Sequence, residues 1–234
     1  MIKRIAMYSL VSGTDGDKRW QHHTQVHAPA FAAEIGVGLR RYVINRVSKV
    51  VRGNPKFYIM AEMWWESREA MDKAIERAKV TKAPSGQTFF KDSEEEIADA
   101  FAAIVEEVQI GDAVTFPRDP ARMVKRLSMS STKEGVDQGI LWRYYMQIHG
   151  PAFLRVVGGA ARNYIINRVT EVIYGQQRFD RFSEVWWESE EAMNRCLEMC
   201  IHTKAPSGNM IMGDLSAQVS DGFKALIEEC VIRS

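Results

Sequence analysis

The sequence repeats itself at one fixed offset. His27-Ala-Pro-Ala-Phe31 returns as His149-Gly-Pro-Ala-Phe153, and Tyr42-Val-Ile-Asn-Arg-Val47 as Tyr164-Ile-Ile-Asn-Arg-Val169. Trp64-Trp-Glu-Ser67 returns as Trp186-Trp-Glu-Ser189, and Thr81-Lys-Ala-Pro-Ser-Gly86 as Thr203-Lys-Ala-Pro-Ser-Gly208. Every pair lies 122 residues apart, so the halves align from Ile2/Val124 to Asp112/Ser234 without a gap, with 44 of 111 positions identical. That agreement predicts two copies of one domain rather than a single large one. The expected units are residues 1–110 and 123–234, joined by a linker at 111–122 whose Phe116-Pro-Arg-Asp-Pro120 reads as extended and turn-rich.

Within a copy the hydrophobic period changes in a fixed order. Lys3 to Tyr8 alternates and reads as a strand. Asp17 to about Val37 reads as a helix, with Trp20, Thr24, His27 and Phe31 on one face and Pro29 restarting it, which sets His27 at a bend. Arg40 to Val51 and Phe57 to Trp65, separated by Gly53-Asn54-Pro55, read as a hairpin. Ser67 caps a helix running to about Lys79, Thr81 to Lys91 is a loop, Ser93 to Asp99 a short helix, and Phe101 to Ile110 a last strand. The order βαββαβ is ferredoxin-like and leaves one sheet face uncovered, which the second copy can bury. The expected fold class is therefore α+β: two ferredoxin-like repeats packed sheet to sheet.

Charge and cysteine usage exclude several classes. Lys and Arg number 31 against 30 Asp and Glu, so nothing draws the chain to nucleic acid or an anionic membrane. The N-terminal apolar stretch is too short and interrupted for a signal peptide, and no transmembrane run is visible, so a cytoplasmic chain is expected. Cys196, Cys200 and Cys230 lack a disulfide framework. Cys196 and Cys200, with His202 beyond, read as core residues in preference to a metal site, because their counterparts are Ala74 and Ala78. No nucleotide fingerprint, nucleophile elbow or zinc signature is present, so no cofactor and no metal are expected.

The aromatic or histidine cluster before His-x-Pro, the Tyr–Arg strand, and the Trp-rich strand ending in Glu-Ser before Glu-Ala-Met together resemble an EthD domain of the dimeric α+β barrel superfamily. The resemblance spans nearly all of both copies. It implies an intramolecular dimeric α+β barrel, with a ligand cavity between a sheet and its own helices. It also implies a small-molecule substrate and points to the His-x-Pro histidine as functional. Members of the superfamily include cyclases, isomerases, quinone-forming monooxygenases and dehydratases, mostly metal-free, and some that bind haem. Such chains can also pair further into homodimers.

His27 and His149 are thus the first candidates for moving a proton near neutral pH, against a structural role in fixing the bend. The copies differ beside them. The first has His22 and His23 where the second has Tyr144 and Tyr145, whose hydroxyls suit an oxyanion. His23 stands one turn from His27, and the pair lacks an obvious carboxylate partner. Arg46 and Arg168, amid apolar residues, are expected to pair with Glu62 and Glu184 or to face a substrate carboxylate. Tyr42 and Tyr164 share their strand face; Asn45, Asn167, Trp20 and Trp142 complete the candidate substrate wall. In Trp64-Trp65 and Trp186-Trp187, alternation sends one indole to each side of the sheet.

The leading expectation is a cofactor-independent lyase or isomerase acting on a small, largely apolar, aromatic molecule of a catabolic or polyketide-type pathway. His149 or His27 would be the acid/base, with Tyr144, Tyr145 or Arg168 opposite the developing charge. The alternatives are a monooxygenase, cofactor-free or haem-dependent, and a ligand-binding accessory protein.

Overall fold

The computed structural model describes residues 1–92, 94–111 and 123–233. The expected linker beyond Gly111, Ser93 at the head of the expected short helix, and Ser234 lie outside the described residues.

The first half runs β1 (Ile2–Leu10), α1 (Gly16–His22), a π-helical turn (His23–His27), α2 (Ala28–Glu34), β2 (Leu39–Arg52), β3 (Ile59–Trp65), α3 (Arg68–Val80) and β4 (Ile97–Gln109). The second runs β5 (Val124–Thr132), α4 (Gln138–Tyr144), a π turn (Tyr145–His149), α5 (Gly150–Val157), β6 (Ala161–Tyr174), β7 (Arg181–Trp187), α6 (Glu190–His202) and β8 (Val219–Arg233). The strands form one closed antiparallel barrel in the order β1-β3-β2-β8-β5-β7-β6-β4. Each half supplies four neighbouring strands, and the halves meet through β2 with β8 and β4 with β6. The two sheets therefore do more than face each other: their edges pair, and no open strand edge remains.

Local chemistry explains the elements. Asp15, Ser67, Asp137 and Ser189 accept from the backbone N–H three residues on, capping α1, α3, α4 and α6. Pro29 and Pro151 sit in the first turn of α2 and α5, where no N–H is needed. At the hairpin tips Gly53 and Gly175 adopt positive φ, and a Cβ there would run into the carbonyls of Gly222 and Ala100 of the opposite half. Two expectations change. The helix restart at Pro29 is replaced by a π turn continuous with the helices on both sides. The short helix before the last strand shrinks to a 3₁₀ turn at Glu94–Glu96, because β4 extends back to Ile97.

Three cores follow from strand alternation. Trp65, Met71 and Ile35 pack outside the barrel under the first half's helices, and Trp187, Met193 and Phe153 under the second's. Ile5, Phe57, Phe101, Phe182 and Phe223 fill the barrel interior. The paired tryptophans divide as expected: Trp65 and Trp187 join the outer cores, while Trp64 and Trp186 sit under the ammonium groups of Lys3 and Lys125, each 4.6 Å from the ring centroid. No helix among the described residues is long and apolar enough to cross a membrane.

Candidate functional site

The π turns build the site. In an α-helix, residues five apart point roughly 140° away from each other; the i→i+5 closure of a π turn brings them to one face. In the second half this aligns Tyr144 with His149, and both reach Asp214. The Tyr144 hydroxyl donates to Oδ2 at 2.9 Å, and His149 Nδ1 lies 3.0 Å from the same oxygen. Ser207, from the repeated Thr-Lys-Ala-Pro-Ser-Gly loop, donates to Oδ1. Burial opposes ionisation of Asp214, but the hydrogen bonds from Ser207, His149 and Tyr144 prevail and hold its pKa below the usual carboxylate value. An ionised Asp214 fixes the proton of His149 on Nδ1 and leaves Nε2 as the free base.

His149 opens on a cavity of about 320 Å³ between the strands of the second half and its own helices. Burial lowers the pKa of His149 below 6.5; the Asp214 bond and charge pull it part of the way back, and the Arg181 charge lowers it further. The ring is therefore neutral near pH 7. Tyr145 stacks on it at 5.2 Å and accepts a hydrogen bond from Tyr164 at 3.3 Å, which frees its own O–H to donate into the cavity. Alternation along β5 and β7 aims Arg126, Ser128 and Ser130, and Arg181, Ser183 and Val185, at the same space. Arg126 and Arg181 are buried, and Nε of both and Nη2 of Arg181 have no hydrogen-bond partner. Lys224 lines the cavity as well, its pKa lowered to about 8 by burial and by the charges of Arg126 and Arg52.

The first half keeps the dyad and fills the space. His27 Nδ1 lies 2.6 Å from Asp92 Oδ2, and His22 Nε2 lies 3.0 Å from it. Where the second half has Ser130, Ser183 and Arg181, the first has Tyr8, Ala61 and Ile59, all in its hydrophobic core. The Tyr8 hydroxyl accepts from Arg19 at 3.1 Å and lies 3.0 Å from Nδ1 of the buried His23. Burial, followed by the charges of His27 and Arg19, pushes the His23 pKa well below 6.5. Tyr42 is likewise core, against Phe31.

Several expected site residues lie elsewhere. Arg46 pairs with Asp17 and Glu228, each at 2.6 Å, and Arg168 with Glu106 at 2.5 Å, so neither pairs with Glu62 or Glu184. Each guanidinium also covers an indole, Trp20 at 5.0 Å and Trp142 at 5.2 Å, outside the cavity. Asn45 and Asn167 point into the barrel and donate to Glu62 at 2.7 Å and Glu184 at 3.0 Å. The reason is the pleat: residues 45 and 46 face opposite sides, and the inner side holds its own cations. There Lys3 contacts Glu62 at 2.7 Å and Glu184 at 3.3 Å, and Lys125 contacts Glu184 at 2.6 Å and Glu62 at 3.1 Å.

Sequence reasoning missed Asp92 and Asp214, which lie 65 residues from their histidines, and the cations Arg126, Arg181 and Lys224. The signal was in the internal alignment. Asp92/Asp214 is the one identical pair between Gly86/Gly208 and Asp99/Asp221, and the counterparts of Arg181 and Lys224 are Ile59 and Ala102.

His22, His27 and Asp92 also bring three metal-capable atoms within 4.8 Å of one another; in the second half Tyr144 replaces the first of these, so the set exists once. The second half's cavity, about 320 Å³, is near the floor of ordinary small-ligand pockets and small for a porphyrin.

No protein-family profile and no curated sequence matches the chain. Solved structures do. An anthrone oxidase-like protein superposes with a TM-score of 0.63 at 12% identity, covering 100% of this chain and 94% of its own. A presumed monooxygenase from Fusobacterium nucleatum gives 0.55 at 6% identity, covering 98% and 93%. A presumed chlorite dismutase gives 0.50 at 11%, covering 97% and 94%. At these identities the likeness shows the fold alone, a closed eight-stranded antiparallel α+β barrel formed by one chain, and leaves the reaction to be argued from the site.

Proposed function

We propose that the chain consists of two ferredoxin-like repeats, 1–110 and 123–234, and that the second carries one acid–base site of a cofactor-independent lyase or isomerase. The observation that carries this reading is the Asp214 carboxylate 3.0 Å from Nδ1 of His149, a histidine that lines a cavity walled by Tyr145, Tyr164 and Phe153. The substrate is a small aromatic or unsaturated compound with an acidic C–H next to a ring carbonyl. His149 Nε2 takes the proton, the electron pair moves onto the ring oxygen, and Tyr145 O–H donates to that oxygen. The imidazolium then returns the proton to another carbon, which is isomerisation, or to a departing hydroxyl, which is elimination. The first half is a structural copy whose cavity Tyr8 and Ile59 occupy. Its likeness to the EthD domain and to an anthrone oxidase-like fold is consistent with aromatic substrates.

The same carbanion can instead be consumed by dioxygen, the route of a cofactor-free monooxygenase. One experiment separates the two. Ring ketones and hydroxyaromatics, anthrone among them, with and without a ring carboxylate, are incubated in deuterated buffer under nitrogen and then under air. Wild-type protein and the H27A variant accelerate C–H exchange; H149A does not. Oxygen uptake under air selects the monooxygenase route. Exchange that persists in H149A overturns the assignment.

A further inference from the structure

We infer that the substrate of the second-half site carries a ring carboxylate, and that Arg126, Arg181 and Lys224 bind it. The inference rests on the reading of His149 as the base and names the class of molecule it acts on.

The argument is one of charge balance. A guanidinium loses several kcal/mol of hydration on burial unless an anion or a set of acceptors replaces the water. Apart from Arg4, the counterpart of Arg126, which has only the Met63 sulfur, most other buried cations of this chain meet that requirement: Lys3 has Glu62, Glu107 and Glu184; Lys125 has Glu62, Glu184 and Glu229; Arg19 has Tyr8 and Glu96. Arg126 and Arg181 do not. They are 7% and 6% exposed, and among the described residues neither makes a hydrogen bond or ion pair. Lys224 lines the same cavity, close enough to Arg126 for their charges to interact, without an ion pair among the described residues. These three positive charges, with the exposed Arg52, thus converge on one small space whose one lining carboxylate, Asp221, is paired with Lys56. Asp214 is committed on the far side of His149, to Tyr144, Ser207 and the imidazole.

The duplication supplies an internal comparison. In the first half, where the space is filled, Ile59 stands for Arg181 and Ala102 for Lys224. Only Arg4 remains, with its Nη1 3.9 Å from the Met63 sulfur. Two of the three cations therefore accompany the open cavity and are absent from the filled one, as expected if Arg181 and Lys224 serve a ligand and not the fold. A carboxylate suits the geometry best: two forked guanidiniums give bidentate donors, while Phe153, Val185 and Ile211 leave the rest of the cavity apolar for a ring. Arg181 also lies within electrostatic reach of His149, so the bound head group sits beside the base.

The test uses benzoate as probe, benzamide as its neutral counterpart and inorganic phosphate as a second anion, titrated calorimetrically into the full-length protein. Benzoate is expected to bind more tightly than benzamide by roughly tenfold or more, the scale of one charged hydrogen bond. R181M and R126M should abolish that preference, and R181K should retain part of it. R181M should also raise the thermal midpoint of the ligand-free protein, because it removes an uncompensated buried charge. Equal binding of benzoate and benzamide overturns the inference, and so does a preference that survives both arginine substitutions. Phosphate binding more tightly than benzoate would overturn the carboxylate assignment. Loss of exchange in H149A together with absent anion preference would leave the base in place and remove only the carboxylate; benzoate preference with exchange persisting in H149A would do the reverse.

Discussion

Asp214 holds His149 through Nδ1 at 3.0 Å, and the first half repeats the contact between Asp92 and His27 at 2.6 Å. The duplicated dyad differs in the aspartate's further partner, His22 or Tyr144, and in what surrounds the histidine: a cavity in one half, aromatic and aliphatic side chains in the other. The first prediction concerns the carboxylate. D214N removes the charge and bond that raise the His149 pKa, so that pKa, read by NMR from the imidazole protons, should drop further below 6.5. R181M should move it the other way. Turnover in D214N should fall by roughly 10²–10⁴-fold, the usual worth of a positioned base, because the amide no longer selects the Nδ1–H tautomer. An unchanged His149 titration would mean that the contact is not formed in solution.

The pH dependence has a definite sign. His149 and His23 both have folded-state pKa values below 6.5. Above that value neither residue binds protons in either state and stability is unaffected. As pH falls below it, the unfolded chain takes up protons that the folded one refuses, so stability is lost until the folded pKa is passed. Thermal midpoints measured from pH 8 to pH 4 should therefore decline on the acid side, and H23Q should decline less. Asp92 and Asp214, held below the usual carboxylate range, add a further loss only below about pH 4. Activity should fall with the protonation of His149, below pH 6.5.

Exchange of one residue between the halves should move the cavity. S130Y places in the second half the side chain that occupies the first, and should abolish ligand binding with little loss of stability. Y8S should open the first half at a cost of roughly 3–5 kcal/mol, the range for deleting a buried aromatic ring. Chemical denaturation and benzoate titration of the two variants check both statements. A stable Y8S protein would mean that Tyr8 is not core.

Much of the architecture was legible because duplication doubles every signal. Capping serines, the Trp-Trp alternation and the βαββαβ order each occur twice, and a repeat with one bare sheet face needs a partner. The barrel closure was not legible, since edge pairing between β2 and β8 or β4 and β6 leaves no local pattern. Helix face and strand register singled out His149, Tyr145 and Tyr164, which the structure brings to one cavity, but not Asp214. The helix was read with a 3.6-residue period, on which Tyr144 and His149 diverge; only the π turn aligns them on one carboxylate. Arg46 and Arg168 were misplaced for a related reason. Their apolar neighbours suggested burial, whereas the pleat turns them outward to Glu228 and Glu106 and gives the inner face to Asn45 and Asn167.

The barrel interior yields the last prediction. Glu62 and Glu184 share Lys3 and Lys125 in a region closed to water. Burial works against both carboxylates. For Glu62 the Lys125 and Lys3 charges overcome it and hold the group ionised. For Glu184 burial and the neighbouring Glu62 charge win, and the pKa is raised. The two substitutions should then differ sharply. E184Q replaces a group inclined to keep its proton by an amide of the same shape, and should change stability little. K125M leaves Glu62, Glu184 and Glu229 short of a cation and should cost about 3–5 kcal/mol, the scale for breaking a buried ion pair from one side. Urea unfolding of the two variants decides it: equal losses would show that Glu184 is as firmly ionised as Glu62, and that every carboxylate around Lys3 and Lys125 is charged.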